Sequence, residues 1–148
     1  MRLAVDSGST KTDWGFFNAV YDLKSIKTQG INPCLQSEEE IRNIVRNELL
    51  PNTQNIDLAA ITEVFYYGAG CATESICTQM AAILKEFIPN AQIKVDSDML
   101  GAARALCGHS EGVACVLGTG SNSCLYNGKE IVDQVPSLGY ILGDEGSS

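Results

Sequence analysis

The chain opens with two short β-favouring runs, residues 2–6 and 12–18, the second carrying Trp14, Phe16 and Phe17. They predict a pair of strands joined by a tight turn. Residues 25–29 predict a third strand. Gly30-Ile31-Asn32-Pro33 predicts a loop, because the residue before a proline is pushed out of the helical region. Spacing then becomes helical: Ser37 with Glu40 forms a capping box, and Ile41, Ile44, Val45 and Leu49 follow until Pro51. Val64 to Tyr67 reads as a strand closing at Gly68-Ala69-Gly70. Ile76, Met80, Ile83 or Leu84, and Phe87 mark a second amphipathic helix stopped by Pro89. A strand from Ala91 to Val95 leads through Asp96-Ser97-Asp98 into an alanine-rich helix ending near Gly108.

From residue 113 the opening pattern restarts. Strand 113–117, turn 118–122 and strand 123–126 are followed by Asn127-Gly128, a strong hairpin signal, before Lys129 to Val132. The order ββ(β)α-βα-βα, then ββ again, predicts a mixed α/β fold of two related lobes. Residues 1–110 form the first lobe and 111–148 the beginning of the second. No closing helix precedes Gly143-Asp144-Glu145-Gly146-Ser147-Ser148, so the expectation is an N-terminal fragment of a longer protein.

Composition narrows the partners. With 148 residues and 45% hydrophobic content the chain can bury a real core. No apolar run approaches the ~20 residues a bilayer span needs, and Leu3-Ala4-Val5 is too short for the core of a signal peptide. No membrane partner is expected. The six cysteines include no Cys-x-x-Cys pair and no Cys/His cluster, which suits small buried hydrophobes in a reducing, cytoplasmic setting. A net charge of −8 argues against a nucleic-acid partner, which needs a basic footprint. A polyanion such as a nucleotide would need local help from backbone dipoles and a metal ion.

Two glycine-hydroxyl turns can supply that help: Asp6-Ser7-Gly8-Ser9-Thr10-Lys11-Thr12 and Gly118-Thr119-Gly120-Ser121-Asn122. Glycine lets the backbone approach closely and adopt positive φ, so that N–H groups and hydroxyls converge on an anion. On echoed scaffolds the turns suggest two clamps on one phosphate chain: Ser7, Gly8, Ser9, Thr10 and Lys11 in the first, Gly118, Thr119 and Gly120 in the second. Asp6 is expected at the end of a buried strand, where an ionised carboxylate is costly unless paired or near a metal. A phosphate-bound Mg²⁺ needs only one or two carboxylates and several waters.

Two other nucleotide signatures fail. No Gly-x-x-x-x-Gly-Lys-Ser/Thr occurs, and Gly68-Ala69-Gly70-Cys71-Ala72-Thr73 has Thr where a dinucleotide fingerprint needs glycine. Asp98 either caps a helix or turns a carboxylate into a crevice between lobes, where it would orient a hydroxyl nucleophile and accept its proton; Asp96 competes for that role. Asn32, Asn122 and Asp144 can bond sugar hydroxyls or form turns. His109, after Gly108, reads as a helix C-terminal cap.

Together these residues resemble the N-acetylglucosamine kinases and the related BadF/BadG/BcrA/BcrD-type ATPases of the sugar kinase and actin superfamily. The resemblance is carried by the turn from Asp6 to Thr12, Gly30 and Asn32, Asp98 with Gly101, the turn from Gly118 to Asn122, and the run from Leu138 through Gly143-Asp144 to Ser147. It implies a ribonuclease H-like fold in each lobe, with ATP and sugar meeting in the cleft. It implies that Asp6, Thr10 and Lys11 serve the phosphates and Mg²⁺, and that Thr119 contacts the nucleotide phosphates. Asn32, Asp98, Ser121, Asn122 and Asp144 would hold the amino sugar, with Asp98 as base for its 6-hydroxyl, and Ser137, Leu138 and Gly139 would line the pocket. Leu138 stands where family members often carry Trp, and the family's adenosine-binding segment lies further C-terminal. The resemblance is compatible with a homodimer. Other roles within the superfamily are an ATPase activator of a 2-hydroxyacyl-CoA dehydratase, which needs cysteines bridging an iron–sulfur cluster, and a non-catalytic sugar sensor.

Overall fold

The computed structural model describes residues 1–18, 24–117 and 121–135. Its elements are strands β1 (Arg2–Ser7), β2 (Lys11–Phe17) and β3 (Lys24–Gln29), helix α1 (Glu38–Ile44), strand β4 (Glu63–Gly68), helix α2 (Glu74–Phe87), strand β5 (Gln92–Ser97), helix α3 (Asp98–Cys107), and strands β6 (Glu111–Leu117), β7 (Ser121–Asn127) and β8 (Ile131–Val135). They form two units, Met1–Asp98 and Met99–Ser148. The sequence reading put the boundary after residue 110. Instead α3 buries Met99 and Ala103 with Ala114, Cys124 and Tyr126, so its packing lies with the second unit.

The first unit is a five-stranded sheet in the order β3-β2-β1-β4-β5. β1, β2 and β3 pair antiparallel, whereas β1, β4 and β5 run parallel. This is the mixed sheet with flanking helices that the resemblance implies. Alternation sets its faces: Leu3, Val5, Trp14, Phe16, Ile26, Val64 and Tyr66 are buried, while their neighbours in sequence are half-buried or exposed. Ile41, Ile44, Val45 and Leu49, with Met80, Ile83, Leu84 and Ile88, complete that core from the helices.

The helical run beginning at α1 carries the capping box: Glu40 N–H donates to Ser37 Oγ at 3.3 Å, and Ser37 N–H donates to Glu40 Oε2 at 2.7 Å. Beyond Ile44 the run widens to a π turn over Val45–Leu49 and tightens to a 3₁₀ turn over Leu50–Thr53. Pro51 has no N–H and its ring crowds the carbonyl four residues back, so a regular α-helix cannot pass through it.

The second unit holds an antiparallel sheet in the order β6-β7-β8. Asn127-Gly128 makes the expected hairpin, with Gly128 at φ 90° and Asn127 Oδ1 accepting from the Lys129 and Glu130 N–H groups at 3.0 Å each. Ser121 and Asn122, expected in a turn, instead begin β7 opposite Leu117 and Val116. Ala91, expected in a strand, is a buried residue just before β5.

Candidate functional site

β1, β4 and β5 end level with one another, Ser7 facing Gly68 and Gly68 facing Ser97. The carboxyl edge of a parallel sheet is where loops converge on ligands in open α/β folds. One residue earlier the ladder aligns Asp13, Asp6, Tyr67 and Asp96 across β2, β1, β4 and β5. Side chains in such a row share a face, and the Asp6 and Asp96 backbones stand about 10 Å apart, two strand spacings. Asp13 is held by Lys11 at 3.2 Å and Lys27 at 3.7 Å. Asp6 was expected to be buried, but it is exposed, because it alternates with Val5 and Ser7, which face the core. A metal that keeps its waters would suit such a carboxylate better than a dry cage would.

The first turn closes through Gly8 N–H donating to Lys11 O at 2.9 Å. Gly8 is not at positive φ, contrary to the expectation for this turn, and a Cβ on it would sit at an ordinary 3.6 Å from Lys11 O. Nothing within the turn therefore demands glycine there. Gly30 differs: its N–H donates to Thr10 O at 3.0 Å, and a Cβ on it would collide with the backbone carbonyl of Ser9. The loop after β3 thus lies directly against the turn.

Ser9, Thr10 and Lys11 are exposed, but the Ser7 side chain is not. Ser7 is fully buried; its hydroxyl donates to Ile31 O at 3.0 Å and pairs with Thr12 Oγ1 at 2.7 Å. Expected among the phosphate-binding residues, it turns its side chain to the core face with Leu3 and Val5, as a strand of period two requires.

Asn32 is the hub of the adjoining loop. Its Nδ2 donates to Ser9 Oγ at 3.1 Å, and its Oδ1 accepts from Cys34 N–H at 3.0 Å. Its own N–H donates to Gln36 Oε1 at 2.8 Å. Gly70, at φ 80°, leaves the space that Asn32 Oδ1 fills, and the Cys34 thiol donates to Gly70 O at 3.4 Å. Gly68-Ala69-Gly70 therefore lets the end of β4 approach Asn32, a contact that the glycine pair signals only in outline.

Asp98 begins α3 and is half-buried. It directly follows Ser97, which closes β5 opposite Gly68, so it stands at the same end of the sheet. The structure thus gathers the first turn, Asn32, Gly70, Asp96 and Asp98 within one unit.

In the second unit Asn122 is half-buried, and its Oδ1 accepts from Gln134 Nε2 at 3.1 Å. Ser121 is also half-buried. Gly118, Thr119, Gly120, Ser137, Leu138, Gly139 and Asp144 lie outside the described residues. Among the described residues no group of three or more His, Cys, Asp or Glu side chains could hold a metal by itself. No described helix is long and apolar enough to cross a membrane.

No family model matches this chain, and no curated protein does. Solved structures do. A protein from Porphyromonas gingivalis provisionally assigned as an N-acetylglucosamine kinase is 51% identical over 99% of this chain and 52% of its own, with a TM-score of 0.93. The chain is a relative of that kinase-like protein. A Chromobacterium violaceum protein with the same provisional assignment is 18% identical, with a TM-score of 0.70 over 99% of this chain and 52% of its own. A non-polymerising mutant of MamK bound to AMPPNP is 12% identical, with a TM-score of 0.50 over 93% of this chain and 54% of its own. These last two share the fold, which is that of the sugar kinases and actin-like ATPases. The chain spans about half the length of the solved relatives it matches, 52% for each of the first two.

Proposed function

We propose that this chain carries part of the active site of an ATP-dependent kinase acting on an amino sugar, with N-acetylglucosamine phosphorylated at its 6-hydroxyl. The observation that supports the reading most is that the first turn, Asn32 and Asp98 all lie at the carboxyl end of β1, β4 and β5. The 51% identity to a kinase-like protein favours the same substrate class. In this reading the turn from Gly8 to Lys11, with the Thr10 hydroxyl and the Lys11 ammonium, receives the nucleotide phosphates. Asp6 would hold Mg²⁺, which would supply neutralisation of the phosphate charge. Asn32 fixes the sugar. Asp98 takes the proton of the 6-hydroxyl as its oxygen attacks the terminal phosphorus and ADP leaves. Thr119, Ser121, Asn122, Asp144 and the run 137–139 are assigned to nucleotide and sugar by resemblance.

The test offers the intact protein Mg-ATP with a panel of hexosamines and looks for sugar phosphate. Asp98→Asn keeps the shape of the side chain but removes the base, so kcat should fall by roughly 10²-fold or more. A near-normal kcat in Asp98→Asn would remove Asp98 as the base. An absence of sugar phosphate with every hexosamine would remove the kinase reading.

A further inference from the structure

Tyr66, in β4, is fully buried, and its hydroxyl has no hydrogen-bond partner. Unpartnered buried hydroxyls are uncommon and ask for a reason. Gly68 makes room for the ring, since a Cβ there would lie 2.5 Å from Tyr66 Cε1 and 3.2 Å from Cζ. The ring therefore leans along β4 towards its carboxyl end, where Ser7 and Gly68 are ladder partners. Burial pushes the Tyr66 phenol up, and the Ser7 hydroxyl is near enough to counter part of that push, although no hydrogen bond of ordinary geometry joins them.

Counting protons shows what Ser7 has left. Its hydroxyl donates to Ile31 O at 3.0 Å, so the proton in its 2.7 Å pair with Thr12 comes from Thr12. Ser7 Oγ keeps one lone pair, and Tyr66 keeps one proton. Through that oxygen the end of β1, the start of β2 and the residue before Asn32 are joined. The first turn and the Asn32 loop are thus both tied to Ser7.

We propose that Tyr66 is a positioning residue whose hydroxyl is held in reserve: loading the turn and the Asn32 loop brings Ser7 Oγ onto it. The bond gained there couples the nucleotide half of the site to the sugar half. The proposal rests on the reading of the turn as a phosphate clamp and of Asn32 as a sugar ligand.

The test compares the wild type, Tyr66→Phe, Ser7→Ala and the double variant in the intact protein. Tyr66→Phe should melt at the same or a higher temperature without ligand, since it loses only an unpartnered hydroxyl. With Mg-AMPPNP and N-acetylglucosamine it should gain less thermal stabilisation than the wild type. KM for both substrates should rise roughly fivefold, the worth of about one hydrogen bond, with kcat within about twofold. Ser7→Ala should raise both KM values similarly, and the two effects should not add in the double variant. Unchanged KM values and unchanged ligand stabilisation in Tyr66→Phe overturn the proposal. A lower unliganded melting temperature does so too, because it means that the hydroxyl already has a partner. A wild type that answers to neither ligand overturns the kinase reading along with it. A responsive wild type beside an indifferent Tyr66→Phe removes this proposal alone.

Discussion

A methyl group on Gly30 would strike the Ser9 carbonyl, whereas one on Gly8 would rest 3.6 Å from Lys11 O. The two glycines flank one turn, so exchanging each for alanine separates an internal need from an external one. Gly30→Ala should lower stability by about 1–3 kcal/mol, the usual cost of overpacking, because the backbone it meets cannot swing aside. Gly8→Ala should leave the melting temperature nearly unchanged, yet weaken binding of Mg-AMPPNP at least several-fold if phosphates approach the turn there. Equal binding by Gly8→Ala and the wild type would move the phosphates elsewhere. The residue scale also shows where the motif misleads. Read as a string, Ser7 to Lys11 offers five neighbouring phosphate ligands. Read with period two, Ser7 belongs with Leu3 and Val5, and Asp6 with Arg2 on the opposite, more open face. That signal lay in the alternation and was outweighed by the motif.

At the scale of elements, the sequence pattern was most legible where local chemistry decides. The Ser37–Glu40 box starts α1 as the spacing predicts, and Asn127-Gly128 makes its hairpin. The π turn at Val45–Leu49 was not legible, because it depends on how Pro51 is accommodated while Leu49 still reaches the core. The Ser37 box also links α1 to pH. The Glu40 carboxylate accepts hydrogen bonds from the Ser37 side chain and backbone, which hold its pKa below the ordinary 4.5. A carboxyl group lowered on folding stabilises the fold above its unfolded pKa, and that contribution is lost as pH falls through the lower folded value. Ser37→Ala should lower the melting temperature near neutral pH, since it removes both the N-cap and the hydroxyl that faces the Glu40 carboxylate. The gap from the wild type should narrow as pH falls below the ordinary carboxyl value and through the lower folded one. Parallel curves down to acid pH would show that the cap acts without the Glu40 charge.

For the whole molecule, the succession of strands and helices was readable, because each strand announced itself, whereas the order and direction of the strands within the sheet came only with the fold. The partition of α3 was not readable, since Met99 and Ala103 look alike to either neighbour until packing chooses one. That choice has a measurable consequence. The first core unites both helices with all five strands of their sheet, from Leu3 and Trp14 to Met80 and Ile88. The second, among the described residues, rests on Met99, Ala103, Ala114, Cys124 and Tyr126 with partly buried neighbours. Local opening is easiest where few apolar side chains are buried. Amide hydrogen exchange should therefore protect Val5, Val64 and Tyr66 well beyond Ala114 and Cys124. Met99→Ala should speed exchange in β6 and β7 and leave β1 and β4 nearly untouched, while Met80→Ala should do the reverse. If either substitution speeds exchange equally in both sets of strands, the cores open as one cooperative body. The fully buried rings of Trp14 and Tyr66 pack edge to face at 6.4 Å, so slow amides are expected beside the strand ends that carry the candidate site. A site built there borders a well-buried core, so ligands should slow exchange most in the loops around Ser9, Asn32 and Gly70.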